Sequence, residues 1–154
     1  KFSYRADGTI PTITMTTAGP PQVAPLDPYV RQEAETMAWA SGAETERSTE
    51  GGMNVGYLEN GDHIKVKGVA FGTGAASFTA RVASATAGGR MELRLGGSTG
   101  AIVGTCTVPS TGGWQTWTSV TCPVNGATGT PDLYLRFSGG SGYLLNVNWW
   151  QFGR

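Results

Sequence analysis

Trp114 follows two glycines, and Cys106 and Cys122 stand symmetrically on its two sides. In Cys106-Thr-Val-Pro-Ser-Thr-Gly-Gly-Trp-Gln-Thr-Trp-Thr-Ser-Val-Thr-Cys122, β-branched residues alternate with small ones on both flanks, as they do in strands. Paired as an antiparallel hairpin, the segment sets Val108 opposite Val120 and Cys106 opposite Cys122, all four on one face. That register permits a disulfide and carries the Trp114 indole out into solvent at the loop tip. An exposed indole costs free energy, so such a tip is a candidate for binding. The plainer alternative is an indole folded back on its own domain.

Tyr57, in Asn54-Val-Gly-Tyr-Leu-Glu-Asn-Gly-Asp62, is a second aromatic in a glycine-rich setting. Two such rings at one end of a sandwich would clamp a flat apolar ligand face, as the axial C–H bonds of a pyranose present. Asn146, in Leu144-Leu-Asn-Val-Asn-Trp-Trp150, can donate and accept at once and so suits sugar hydroxyls. The alternative for Tyr57 is a tyrosine at the edge of the core. Glu33 and Glu35 flank Ala34 and are expected on one face of the first strand. Neighbouring carboxylates repel unless a cation or an arginine neutralises them. Calcium would suit them, with backbone carbonyls and Asn148 completing an oxygen shell; a solvated face paired with lysine or arginine is the alternative.

Catalytic chemistry finds little footing. His63 is the only histidine, and its strand phase places it with Lys65 and Lys67 on a polar side, away from any Ser-His-Asp arrangement. There is no phosphate loop, and two cysteines with one histidine do not have zinc spacing. A glycosidase needs two carboxylates aimed across a cleft, and Glu44 and Glu46 are the nearest pair. No residue is assigned a catalytic role. Lysine plus arginine equals aspartate plus glutamate, at 11 each, so no global field draws in nucleic acid or an anionic membrane.

The elements that must position these side chains read as strands. Charged residues are only 14% and glycine contributes 24 of 154 residues, which favours short strands joined by tight turns over helices. Ile64 and Val66, Phe78 with Ala80 and Val82, Met91 with Leu93 and Leu95, and Leu133 with Leu135 and Phe137 each alternate with polar residues. Asn60-Gly61, Gly88-Gly89, Gly96-Gly97 and Gly139-Gly140-Ser141-Gly142 punctuate them as turns. A further strand, Val30–Glu35, is expected to open the domain. The pattern predicts an all-β, antiparallel sandwich or barrel over residues 29–154. Residues 1–28 differ: a possible hairpin around Ala6-Asp7-Gly8-Thr9 precedes Ala18–Pro28, whose proline density indicates a linker or a surface-lying strap. No apolar run approaches the ~20 residues of a membrane helix. The chain begins at Lys1, so it is read as a processed chain or a fragment. The cysteine pair favours an oxidising, extracellular setting.

Taken together, Arg31-Gln-Glu-Ala-Glu35, Glu44-Thr-Glu46, Gly51–Asp62, Phe78–Ser84, Thr111–Trp117 and Leu133–Phe152 resemble, in order and from about residue 30 to the end, a family 6 carbohydrate-binding module. The resemblance implies a β-sandwich of jelly-roll topology, a monomer without catalysis, in which a tyrosine and a tryptophan sandwich a sugar between loops at one end. Tyr57 and Trp114 match those positions, Asn146 the asparagine of the cleft floor, and Glu46 a polar wall residue. It also implies a structural calcium on the acidic pair, matching Glu33 and Glu35, with Asn148 where a nearby aspartate is common. The opening Phe2–Pro11 is similar to the junction that follows a family 43 glycoside hydrolase domain in arabinoxylan arabinofuranohydrolases. That similarity implies an attached hydrolase, and xylan or arabinoxylan as the ligand.

Overall fold

Alternation sends one row of the inner strands into a shared core: Ile64, Val66, Phe78, Ala80, Val82, Met91, Leu93, Leu133, Leu135, Phe137, Val147, Trp150 and Phe152 are all buried. The computed structural model describes residues 5–10 and 24–154. The turn at Ala6–Thr9 is present, with Arg5 N–H donating to the Thr9 carbonyl at 2.8 Å. The rest of the hairpin expected there lies outside the described residues.

Among the described residues, eleven strands form two antiparallel sheets. The six-stranded sheet contains β1 (Gln32–Glu33), β3 (Glu44–Arg47), β4 (Met53–Gly56), β6 (Ser77–Ser84), β9 (Gly113–Pro123) and β11 (Asn146–Gly153). Its order is β3-β4-β11-β6-β9, with β1 also paired to β11. The five-stranded sheet contains β2 (Trp39–Ser41), β5 (His63–Val66), β7 (Gly89–Leu95), β8 (Ala101–Val108) and β10 (Leu133–Ser138), in the order β2-β5-β10-β7-β8. Only β3–β4 and β7–β8 are consecutive neighbours in one sheet; every other connection crosses between sheets, which makes the sandwich a jelly roll.

That topology overturns the hairpin expected between the cysteines. β8 pairs with β7, setting Cys106 opposite Met91, and β9 pairs with β6, setting Cys122 opposite Phe78. The two strands are therefore edges of different sheets. They meet where Gly104 bridges Val124, and the Cys106–Cys122 disulfide, with Cα atoms 5.2 Å apart, closes the sandwich along that side. Both cysteines are buried. Both cysteines do lie on the inward face of their strands, but each faces the opposite sheet and not a hairpin partner.

The strand expected to open the domain is reduced to Gln32–Glu33. The chain turns directly afterwards, with Thr36 N–H donating to the Glu33 carbonyl at 3.0 Å and Met37 N–H to the Glu35 carbonyl at 2.9 Å. Glu33 and Glu35 are thus not alternate residues of one strand. Upstream, Leu26 bridges Val69, and Phe152 N–H donates to the Pro28 carbonyl at 2.8 Å, so residues 26–28 are strapped onto the sandwich.

Candidate functional site

At one end of the sandwich a cavity of about 200 Å³ is lined by Glu46, Tyr57, Trp114, Tyr143 and Asn146. Tyr57, Trp114, Asn146 and Glu46, singled out from distant parts of the sequence, are thereby gathered at one place, and Tyr143 joins them.

Each arrives by a local reason. Tyr57 follows the last residue of β4 and has a left-handed backbone, φ 58°, rare for a residue with a side chain and a recurrent mark of functional positions. Leu58 beside it is fully buried, and Leu144 N–H donates to its carbonyl at 2.8 Å, anchoring the strained residue. Gly56 is required next to it: a Cβ there would lie 2.7 Å from Asn146 Oδ1, so only glycine lets the amide pack against the strand. Trp114 is the second residue of β9, after a turn pinned by Thr111, whose N–H donates to the Ser84 carbonyl at 2.9 Å and whose hydroxyl accepts from Ser84 N–H at 2.8 Å. The indole is half-buried in the cavity wall and is not thrown free into solvent as the hairpin register required. The turn belongs to a crossover between sheets, which folds the ring against the end of the sandwich.

Asn146, nearly fully buried, opens β11 on the cavity floor. Its Nδ2 donates to Glu46 Oε1 and to the Trp114 carbonyl, both at 2.8 Å. One amide thus ties the polar wall to the backbone of the tryptophan. Glu46, on β3, is held further by Asn54 Nδ2 at 3.2 Å and Gln115 Nε2 at 3.0 Å, both donating to the same Oε1. Gln115 Nε2 also donates to Asn54 Oδ1 at 3.0 Å, and Thr49 N–H to Gln115 Oε1 at 2.9 Å. Three amides on one carboxylate oxygen lock its rotamer and leave Oε2 as its less committed acceptor. Glu46 is the only acid among the five lining residues, so the cavity disfavours an anion and suits a neutral ligand with an apolar face and hydroxyls.

Tyr143, Gln115 and Asn54 escaped the sequence reading. Tyr143 carried a usable signal: it follows Gly139-Gly140-Ser141-Gly142, the same aromatic-after-glycine pattern that singled out Tyr57 and Trp114. Asn54 and Gln115 carried none, because their roles arise from partners across strands. Of the carboxylates weighed as catalytic, Glu44 is exposed and does not line the cavity, and His63 lies on the five-stranded sheet with its ring 5.8 Å from Tyr134.

The acidic pair is arranged otherwise than expected. Glu33 is ion-paired with Arg31, Nε to Oε1 at 2.8 Å, and the Arg31 guanidinium lies 5.2 Å from the Trp149 ring centre. Glu35 Oε2 and Asn148 Oδ1 are buried oxygens without hydrogen-bond partners. Asn148 Nδ2 donates to Glu50 Oε2 at 3.1 Å. Hydrogen bonding from Arg81 holds the Glu50 carboxyl below its ordinary range against the opposing effect of burial. Among the described residues no group of three or more His, Cys, Asp or Glu is gathered as a metal centre. The two orphaned oxygens are nevertheless the donor type a hard cation takes.

A family model described as carbohydrate binding module (family 6) matches residues 33–154. The chain is 45% identical, over 99% of its length, to an arabinoxylan arabinofuranohydrolase of Bacillus subtilis (strain 168), of which it spans 31%. Among solved structures it is similar to a family 6 carbohydrate-binding module of Clostridium cellulolyticum in complex with xylose, at TM-score 0.82 and 51% identity, covering 84% of this chain and all of that one. It is also similar to a β-1,3-glucan-binding module of Bacillus halodurans, at TM-score 0.82 and 43% identity, covering 85% of this chain and all of that one.

Proposed function

The chain belongs to family 6 of the carbohydrate-binding modules, and on that premise we propose that its end cavity clamps a ring of xylan or arabinoxylan between Tyr57 and Trp114. The observation that carries the reading is the convergence of those two aromatics with Asn146 and Glu46 on one small cavity. The sugar's apolar face would stack on the rings, each contact contributing about 0.5–1.5 kcal/mol beyond its buried area. Asn146 and Glu46 Oε2 would meet the hydroxyls, at about 0.5–1.5 kcal/mol for each bond satisfied. Against the entropy of fixing a flexible chain, a few such terms give millimolar to micromolar affinity. The glycan class is supported by the xylose held in the similar Clostridium module and by the arabinofuranohydrolase of which this chain spans 31%. The β-1,3-glucan binder supports a second backbone, to be compared directly.

The same premise supports a role outside the cell, anchoring a covalently attached glycoside hydrolase on plant cell wall, and the disulfide suits that oxidising setting. We further propose a structural calcium. Glu35 Oε2 and Asn148 Oδ1 would hold it, and Glu33 would join them on release from Arg31. Its chemistry would be charge neutralisation of the acidic turn, and the two unpartnered oxygens are what supports it.

Replacement of Trp114 by alanine tests the sugar clamp. By titration calorimetry with xylohexaose, the variant should lose about 2 kcal/mol or more, roughly thirtyfold in affinity, with an unchanged melting temperature. Equal affinity in the two proteins would sink the reading.

A further inference from the structure

We propose that Arg90 marks a carboxylate site beside the clamp, which takes a uronate side group of an acidic xylan while the clamp holds the backbone. The inference rests on the end cavity being a sugar clamp and names a decoration of the chain that the module selects.

A second cavity, of about 570 Å³, lies along the same two loops as the first. Tyr57 and Tyr143 line the clamp, while Asn60 and Gly139 line its neighbour. The loops run together, with Leu144 N–H donating to the Leu58 carbonyl at 2.8 Å and Gly139 N–H to Asn60 Oδ1 at 3.1 Å. Tyr57 precedes Asn60 by three positions, and such a step spans at most about 10 Å. A polysaccharide held in the clamp therefore carries its next rings and side groups within reach of the second cavity.

This cavity is lined by donors. Arg90 on β7 stands between Ser138 on β10 and Thr107 on β8, its direct cross-strand partners. All three lie on the outer face, because their neighbours Met91, Phe137 and Cys106 point into the core. Asn60 commits Oδ1 to Gly139 N–H, so its Nδ2 is left as a donor. Gly89 keeps the rim bare, since a Cβ there would lie 2.8 Å from the Ser138 carbonyl oxygen. None of the described residues lining the cavity is acidic.

Arg90 is also the surplus cation of its face. Glu92, two positions along β7, is shared by Arg94 at 2.8 Å and Arg136 at 3.3 Å. Among the described residues Arg90 is exposed and has no carboxylate partner. A guanidinium flanked by two hydroxyls and an amide is a donor set for a carboxylate carried on a sugar: the fork meets the two carboxylate oxygens, and the neighbours meet ring hydroxyls. Xylose and arabinose have no such group. The clamp, whose one acid disfavours an anion, holds the neutral ring, and the uronate goes to Arg90.

Titration calorimetry tests this with three xylo-oligosaccharides of equal backbone length: unsubstituted, bearing one glucuronate, and bearing that glucuronate with its carboxyl reduced to the alcohol. At low salt the native protein should bind the glucuronate form roughly fivefold more tightly than its reduced twin, as one part-exposed ion pair gives, and high salt should shrink the difference. Arg90→Gln, with folding checked by its melt, should lose this preference and bind the unsubstituted form as the native protein does. Polygalacturonate, which offers the carboxylate without a xylose backbone, should not bind Trp114→Ala. Equal affinity of the native protein for the glucuronate and reduced forms, with unsubstituted binding still lost in Trp114→Ala, would overturn the inference and leave the clamp standing. A preference that survives Arg90→Gln would remove this cavity as its source. Binding of polygalacturonate to Trp114→Ala that disappears on adding Arg90→Gln would refute the coupling to the clamp. No binding of any oligosaccharide by the native protein would take down the clamp and this inference together.

Discussion

Glu46 offers the sharpest test of how the cavity is built, because one oxygen atom receives three amides. Asn146, Gln115 and Asn54 donate to Oε1 at 2.8, 3.0 and 3.2 Å. Glu46→Ala strands all three N–H groups beneath the aromatic rings. A buried donor left without a partner costs about 1–3 kcal/mol. Removing the Glu46 side chain opens a path from the cavity to these buried amides, so water takes up part of the loss and the lower end applies to each, giving roughly 3 kcal/mol in total. Glu46→Gln keeps an oxygen where Oε1 lies and loses only the charge that strengthens the bonds. Charged hydrogen bonds are about twice as strong as neutral ones, so that variant should cost about 1–1.5 kcal/mol. Urea unfolding at neutral pH measures both, read from the midpoints at a common slope. Binding should follow the same order, since Asn146 loses its hold on Glu46 and then fixes the Trp114 carbonyl less firmly. Alanine and glutamine variants equal within about 0.5 kcal/mol would refute the argument that convergent donors on Oε1 organise the site.

Three further outcomes follow from other parts of the sandwich. Replacing both Cys106 and Cys122 by alanine should lower stability by about 3 kcal/mol, the estimate for a closed loop of this length, and leave sugar affinity unchanged because the bridge lies along the β8–β9 side; denaturation and calorimetry check the two halves. Glu50, held below the ordinary carboxylate range by its hydrogen bond to Arg81 against the opposing effect of burial, stabilises the fold above the normal glutamate pKa, and that contribution is lost as pH falls through its depressed folded value. Stability should therefore decline more steeply between about pH 5 and 3 in the native protein than in Glu50→Gln, and parallel acid limbs would contradict this. A chelator should lower the melting temperature of the native chain and have a smaller effect on Glu35→Gln, because a ligand bound only to the folded state stabilises it; identical melts with and without chelator would count against the calcium.

What the sequence could and could not reveal follows from what alternation encodes. A period of two says which side chains face inward, and Ile64, Val66, Phe78, Ala80, Val82, Met91, Leu93, Leu133, Leu135 and Phe137 were legible on that ground and are buried. Alternation does not say which sheet a strand joins. Cys106 and Cys122 face inward under either arrangement: a hairpin places them side by side on one sheet, a crossover places them face to face on two. Length could not discriminate, since the glycines before Trp114 serve a two-stranded turn and a crossover equally well. The same ambiguity sent Trp114 toward solvent in the hairpin and brings it into the cavity wall in the sandwich. Tyr57, Asn146 and Glu46 could be picked individually because glycine context, amide chemistry and family resemblance mark single positions. The network joining Glu46 to Asn54 and Gln115 could not, because it needs β9 to meet the β3–β4 hairpin at one end, which the crossovers decide. Tyr143 falls between these cases. Its glycines announce a loop aromatic, but that it meets Tyr57 depends on two loops being paired, as the bond from Leu144 N–H to the Leu58 carbonyl pairs them, a contact between residues far apart in sequence. Which residues can line the cavity is thus written in local residue types, and how they stand to one another is written in the pairing of two loops.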